Sequence, residues 1–371
     1  MAVRLKEILQ VLEAHYPAAW AVAGDQVGLE VGHPEAQVAR VLVALEATPA
    51  VVAEAQKQEA QLLLTHHPLL YQPLKEVRED QPGGRLLAAL IRAGINLAAC
   101  HTNLDVAAGG LNDYLAQLLK LTQVEVLSET GRESYYKLAV FVPVGYEDRV
   151  RQALGDLGLG TVGRYSHCSF ASRGQGTYLP LAGAQPFRGE ESKLARAAES
   201  RLELLTPESL LAAALMRLKE VHPYEEVAYD LYPLKNPGPA RGFGRLGQWP
   251  APRPFPQVVS RVKAVFGVET VRVWGRPPRE VKCVAVCGGS GGDLIPAAAA
   301  RGAHLYVTGE VRHHQVPPGM EEPAVLEVGH FASEVVFIKP WARRLKELFR
   351  QAGLTVQVQA AKEAASPFRY Q

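Results

Sequence analysis

Residues 61–68 read QLLLTHHP, 95–105 INLAACHTNLD, 305–314 LYVTGEVRHH and 324–334 AVLEVGHFASE. In each stretch a short, almost continuous apolar run ends in histidine or acid. Such runs suit strands buried on both faces, as in a parallel or mixed sheet covered by helices. Helix-like segments alternate with them. PAVVAEAQKQEA (49–60) and GGRLLAALIRAG (83–94) lie in the first part of the chain, and FPQVVSRVKAVFG (255–267) and DLIPAAAARG (293–302) in the last. The fold class read from this alternation is α/β, in two related halves.

Working outward, the N-terminal Leu5, Ile8, Leu9 and Leu12 have helical spacing interrupted by charge, which is not the pattern of a signal peptide. A long helix-like segment, 331–353, contains Pro340, which should kink or interrupt it, and a last strand-like run follows at 354–360. The middle has another grammar: SYYKLAVFVP (134–143), a helix-like 146–158, a Gly-rich hairpin region, LELLTP (202–207), a helix-like 208–223 and EEVAYDLYPL (225–234). This is a β-α-β then β-α-β order, the signature of a ferredoxin-like α+β module. KNPGPARGFG (235–244) reads as the return linker. The expected organisation is a discontinuous domain, 1–125 and 238–371, with a module inserted at 126–237.

The chain has 371 residues, with Lys+Arg 40 against Asp+Glu 38, 47% apolar and 21% charged residues. That balance excludes a disordered acidic chain and carries no global nucleic-acid signal. No apolar stretch approaches the length of a membrane span, so the expected compartment is the cytoplasm. Four cysteines make no disulfide framework. Cys100 and the CxxxC pair Cys283 and Cys287 lie in apolar runs and read as buried thiols.

His66, His67, His101, His313, His314 and His330 all fall at or just beyond strand ends. Open α/β sheets place their ligands in the crevice at the carboxyl ends of strands. Asp105 lies four residues after His101, and Glu334 four after His330, a spacing that puts both members of a pair on one helix face. Imidazole with carboxylate suits Zn, Fe(II) or Mn, and with no thiolate among these residues an open site is expected over a closed structural zinc. CGGSGGDL (287–294) is a Gly-rich turn that either holds an anion on its amides or serves tight packing. It lacks the Lys-Ser/Thr of a P-loop, and no GxSxG elbow occurs. HPYEE, with His222 and Glu225, reads as a capped turn, and Arg343, Arg344 and Lys346 as a solvated face.

Taken in order, THHP, HTNLD, VTGE with its following HH, and GHFASE resemble the motifs of the Nif3-like (DUF34) family, members of which carry the name GTP cyclohydrolase 1 type 2 homolog. GDQVGLEVG (24–32) and GFGRLGQ (242–248) support the resemblance. GRYSHCSF, GQGTYLP and VHPYEEVAYD in the insert are similar to the PII/CutA-like domain of long family members. The resemblance implies two divalent ions per chain held by His66, His67, Asp105, His330 and Glu334, and a homohexamer. His101 and His314 are the implied candidates for moving a proton. Glu310 and Glu46 stand where the family more often has Asp, and His313 where an aromatic is usual.

Three functions follow as expectations. The first is a metal-dependent hydrolase using metal-activated water on a nucleotide-like small molecule, as the GTP cyclohydrolase name implies. The second is a phosphoesterase or nucleotide hydrolase using the same residues. The third is a non-enzymatic, ring-shaped metal-binding regulator. Either Asp105 or Glu334 is expected to bridge the ions.

Overall fold

The computed structural model describes residues 2–363, 366 and 368. The chain forms two compact units, one of Met1–Thr130 with Arg241–Gln371, the other of Gly131–Ala240.

The larger unit is built on two sheets. One has the strand order Gln357–Ala360, Arg40–Ala44, Leu62–Thr65, Asn96–Ala99, Gly28–Val31. Its first four strands are parallel and Gly28–Val31 closes the edge antiparallel. The other runs Arg272–Trp274, Ala324–Glu327, Leu305–Glu310, Glu280–Ser290, Ala240–Pro254, Thr122–Arg132. Its Ala324–Glu327, Leu305–Glu310 and Glu280–Ser290 are parallel, with antiparallel neighbours on either side. Each sheet therefore centres on three consecutive parallel strands. The residues of Arg40–Ala44, Leu62–Thr65, Asn96–Ala99, Leu305–Glu310 and Ala324–Glu327 are almost all buried, and Glu280–Ser290 is buried through its middle, Val284–Cys287, which explains the unbroken apolar runs.

The two halves exchange strands. Thr122–Arg132, from the first half, is the edge of the second half's sheet, and Gln357–Ala360, from the end of the chain, pairs with Arg40–Ala44 in the first. Neither half can complete its sheet alone. One apolar core joins them: Val41, Val43, Leu62 and Leu64 share it with Val284, Val286, Leu305 and Val307. The 22-residue helix His330–Gln351 contributes Phe337, Ile338, Trp341, Leu345 and Phe349 to the same core. This helix runs through Pro340 without interruption, so of the expected kink or break the break does not occur. Proline removes one backbone N–H and crowds the preceding turn. Buried Phe337 and Ile338 before it, and Trp341 and Ala342 after it, hold both sides of that turn against the core.

Polar ties lock the same unit. The buried Arg245 of GFGRLGQ forms an ion pair with Asp113 and donates to the carbonyls of Gly242 and Gly244 at 2.8 Å each. Arg344 donates to the Tyr16 hydroxyl at 3.1 Å and the Ala108 carbonyl at 3.4 Å, so it joins elements as well as facing solvent.

The smaller unit has the order strand Tyr135–Pro143, helix Glu147–Gly155, strands Ser169–Tyr178 and Ala195–Pro207, helix Leu211–Val221, strand Tyr229–Leu234. Its four strands form an antiparallel sheet ordered fourth, first, third, second. Val150, Leu154, Ala214 and Leu218 of the helices pack on Leu138, Val140, Leu202 and Leu204 of the sheet.

Where the chain leaves and re-enters the larger unit, the Thr130 hydroxyl donates to the Arg241 carbonyl at 3.4 Å. Replacing 131–240 by a short Gly-Ser link should therefore leave a folded protein, checked by circular dichroism and a cooperative urea transition. An insoluble product would show that the larger unit depends on the smaller one. Trp341→Ala in the full chain should lower unfolding free energy by about 3–5 kcal/mol, read from the same transition.

Candidate metal centre

The parallel strands of both sheets end at one place. His66 and His67 follow Leu62–Thr65, and His101 follows Asn96–Ala99 and opens the short helix that carries Asp105. Glu310 ends Leu305–Glu310, and His330 and Glu334 occupy the first turns of the long helix. Four spacings set the arrangement. His67 Nε2 is 3.0 Å from Glu334 Oε2, His330 Nε2 is 3.3 Å from Glu334 Oε1, and His66 Nε2 is 3.7 Å from both Glu334 Oε1 and Asp105 Oδ1. Glu334, buried at 4% exposure, is thus reached by three histidines, whereas Asp105 has His66 as its nearest ring.

Two overlapping trios could each hold a metal ion: His66, His67 and His101, and His67, His330 and Glu334. Within each, the ligand atoms lie within 4.8 Å of one another. His66 Nε2, Asp105 Oδ1 and Glu334 Oε2 are buried and have no hydrogen-bond partner. His67 approaches Glu334 Oε2 off the line of a hydrogen bond. Buried polar atoms are normally satisfied, so an unpaired pair such as His66 Nε2 and Asp105 Oδ1, 3.7 Å apart, suits a cation.

The histidines are also held as ligands are held. His66 Nδ1 lies 3.0 Å from the Cys100 carbonyl, which requires Nδ1 to carry a proton, so that in the neutral ring Nε2 is the nitrogen with the lone pair. His330 Nδ1 is 3.0 Å from Glu310 Oε2, and His101 Nδ1 is 2.7 Å from Asp25 Oδ1. An oxygen partner on the far nitrogen is the usual way a metal-binding imidazole is oriented. Asp25 also accepts from the Thr102 amide at 3.2 Å and from its hydroxyl.

The carboxylates and rings of the cluster shift one another's ionisation. Burial disfavours ionised Glu334, yet His330, His66 and His67 outweigh it and hold the carboxyl well below its ordinary range. Burial opposes charge on His67, but Glu334 and Glu46 raise it to about 10. Glu334 raises His330 to about 9 against its burial. His66 is raised as well, its burial outweighed by Asp105 and Glu334, while burial pushes Asp105 up. The cluster gathers protons on its rings to offset buried carboxylates, and a divalent ion would supply the same positive charge.

Among the expected residues, His66, His67, His101, Asp105, His330 and Glu334 come together. His314 lies exposed, beside His313, on the short turn His313–Gln315 and belongs to neither trio. Asp25 was not singled out, although the GDQVG stretch contains it. Asn112, also missed, is buried and links the Asp105 carbonyl, at 3.0 Å, to the Gly288 amide, at 3.1 Å.

The Gly-rich turn serves packing. A Cβ on Gly289, at φ +63°, would lie 2.5 Å from Glu334 Oε1, so only glycine lets the backbone pass this carboxylate. The Gly288, Gly289 and Gly291 amides donate to Asn112, Ser333 and the Glu310 carbonyl, which leaves none of the three for an anion. His222 is a capping residue: its Nδ1 accepts from the Tyr224 amide and its Nε2 meets the Phe141 carbonyl, both at 3.1 Å. Cys100 and Cys287 are buried, and burial pushes each thiol up to about 12, while Cys283 is only partly buried, short of the expected burial. Among the described residues no helix is long and apolar enough to cross a membrane.

The chain is similar to known proteins over nearly its whole length. A Bacillus subtilis protein named GTP cyclohydrolase 1 type 2 homolog is 38% identical over 366 residues, 98% of each chain. A Mycobacterium tuberculosis protein of the same name is 38% identical over 96% of this chain and 95% of its own. The crystal structure of a Bacillus cereus protein related to NIF3 superposes with a TM-score of 0.88 at 37% identity, covering 100% of this chain and 99% of that one. The profile of the Duf34/NIF3 (NGG1p interacting factor 3) family matches residues 3–367, and the chain belongs to that family.

Proposed function

We propose that the protein is a dinuclear metal-dependent hydrolase acting on a nucleotide-like small molecule, in keeping with the GTP cyclohydrolase 1 type 2 homolog name of its relatives. The observation that supports this best is the position of Glu334 between two sets of ligands. His66, Asp105 and one Glu334 oxygen would hold one divalent ion, and His67, His330 and Glu334 the other. Glu334 is then the shared carboxylate, because His66, His67 and His330 all reach it. The nitrogen and oxygen set suits Zn, Fe or Mn. When bound, such ions polarise a substrate oxygen and lower the pKa of water to about 7.

The chain's own residues supply orientation and proton transfer. The Cys100 carbonyl and Glu310 fix the His66 and His330 rings. Of the trio His66, His67 and His101, the first two are assigned to metal; His101, held by Asp25 through Nδ1 with Nε2 as its remaining nitrogen, is the residue we assign to proton transfer in place of ligation. His314, the other candidate from the sequence, is exposed and outside both trios. Phosphoester hydrolysis by the same residues is less well supported, since three amides of the Gly-rich turn are already engaged. The resemblance supports a homohexamer, and the strand and helix order of 131–240 supports reading that unit as PII/CutA-like.

Metal analysis after anaerobic purification tests the assignment. The wild type should carry two ions per chain, His330→Ala one, and Glu334→Ala none. Glu334→Ala with both ions retained would remove Glu334 from the site. His101→Gln should keep both ions and slow release of formate from GTP, or of phosphate from an ester, by about 10²–10⁴-fold. Cys100→Ala should keep metal and turnover, since this thiol sits at 3% exposure in the apolar core. Loss of turnover with both ions bound would call for a thiol mechanism.

A further inference from the structure

A second concave site lies wholly within the unit Gly131–Ala240, a pocket of 430 Å³ between its sheet and the loop at 179–194. Three rings form one wall. Phe187 and Tyr224 have centroids 5.9 Å apart and tilted 47°, and Tyr178 lies 6.4 Å from Tyr224 at 59°. Tyr224 is fixed from behind by His222, whose nitrogens are both engaged. The loop is pinned by the Tyr178 hydroxyl donating to the Arg188 carbonyl at 2.7 Å, and by the Gln185 amide donating to Glu225 at 2.8 Å.

Glu199 lines the same pocket and is only 8% exposed. Its Oε1 accepts from the Tyr224 hydroxyl at 2.9 Å. No Lys or Arg among the described residues forms an ion pair with it, and none lines the pocket. Strand Ser169–Tyr178 accommodates this carboxylate with glycine, since a Cβ at Gly176 would lie 2.1 Å from Glu199 Oε2. Glu225 and Glu226 complete the lining at the rim.

A buried carboxylate without a counter-charge is unfavourable, and aromatic faces attract cations. This wall already shows that attraction, because the Arg188 guanidinium lies 5.8 Å from the Phe187 centroid. Three carboxylates oppose an anion, and a neutral apolar guest would leave Glu199 uncompensated. Phenyl and phenol rings are poor ligands for a hard inorganic ion, and of the carboxylates Glu199 and Glu225 already accept from the Tyr224 hydroxyl and the Gln185 amide. We propose that this pocket binds a small organic cation, an alkylammonium ion whose methyl or methylene groups pack on Tyr178, Phe187 and Tyr224 with its charge towards Glu199.

The test uses the full-length protein and matched pairs of probes: choline against its neutral isostere 3,3-dimethylbutan-1-ol, and n-butylammonium against n-butanol. Calorimetry should give saturable binding of at least one cation, at least about tenfold tighter than its isostere. Glu199→Gln should abolish that preference. Phe187→Ala, at a position 42% exposed and outside the core, should weaken the cation at least about threefold with an unchanged circular dichroism spectrum. It keeps the test decisive should Glu199→Gln fail to fold. Equal affinity for cation and isostere, undiminished binding in both variants, or no binding of either cation up to about 10 mM would overturn the proposal. So would displacement of a bound alkylammonium by Mn²⁺ at equal concentration.

Discussion

The buried Glu334 carboxylate governs the larger unit. An ionised carboxylate taken out of water costs several kcal/mol unless it is paired. At 4% exposure Glu334 has little water, so its stabilisation comes from three histidines. Those histidines come from both sides of the unit. His66 and His67 end a strand of one sheet, while His330 shares the helix that follows a strand of the other. The strand ends of the two sheets must therefore meet at this carboxylate, and Gly289 must pass it without a side chain.

That meeting demands a rigid frame, and the strand exchange provides it. Each half donates an edge strand to its partner's sheet, so neither can shift without breaking a hydrogen-bonded ladder. The long helix ties the same parts together: its N-terminus carries His330 and Glu334, and its middle buries Phe337 and Trp341, whose rings stack with centroids 6.2 Å apart. Arg344 and Arg245 add ties to Tyr16 and Asp113. Asp25 and Asn112 extend the frame to single atoms, one orienting His101 and the other joining the Asp105 backbone to the Gly-rich turn.

The two units present one electrostatic problem with different walls. Around Glu334 the neighbours are imidazole nitrogens and another carboxylate, donors suited to a divalent metal. Around Glu199 they are aromatic faces and a phenol hydroxyl, which favour a diffuse, weakly hydrated charge. A buried carboxylate states that positive charge is wanted; the surrounding side chains select its chemical kind.

Much of this was legible along the chain because it is local. Unbroken apolar runs such as LLLT and LYVT mark doubly covered strands, and the residue after such a run must stand at a sheet end, which is where His66 and His101 are. The alternation of periods in 134–234 likewise carries the order of strands and helices of the smaller unit. What spacing cannot carry is which distant elements meet. His101 and Asp25 are 76 positions apart, and nothing in either neighbourhood names the other. The sequence left the choice between Asp105 and Glu334 open, since both follow a histidine by four residues; packing put Glu334 among three rings and Asp105 beside one. Pro340 reads as a break by its own chemistry, yet the core contacts on both sides of it outweigh that local preference. Periodicity and residue type determined the elements and the ends on which the histidines stand; the exchange of strands, the role of Asp25 and the central carboxylate were decided by tertiary packing, because they depend on contacts between residues that share no local pattern.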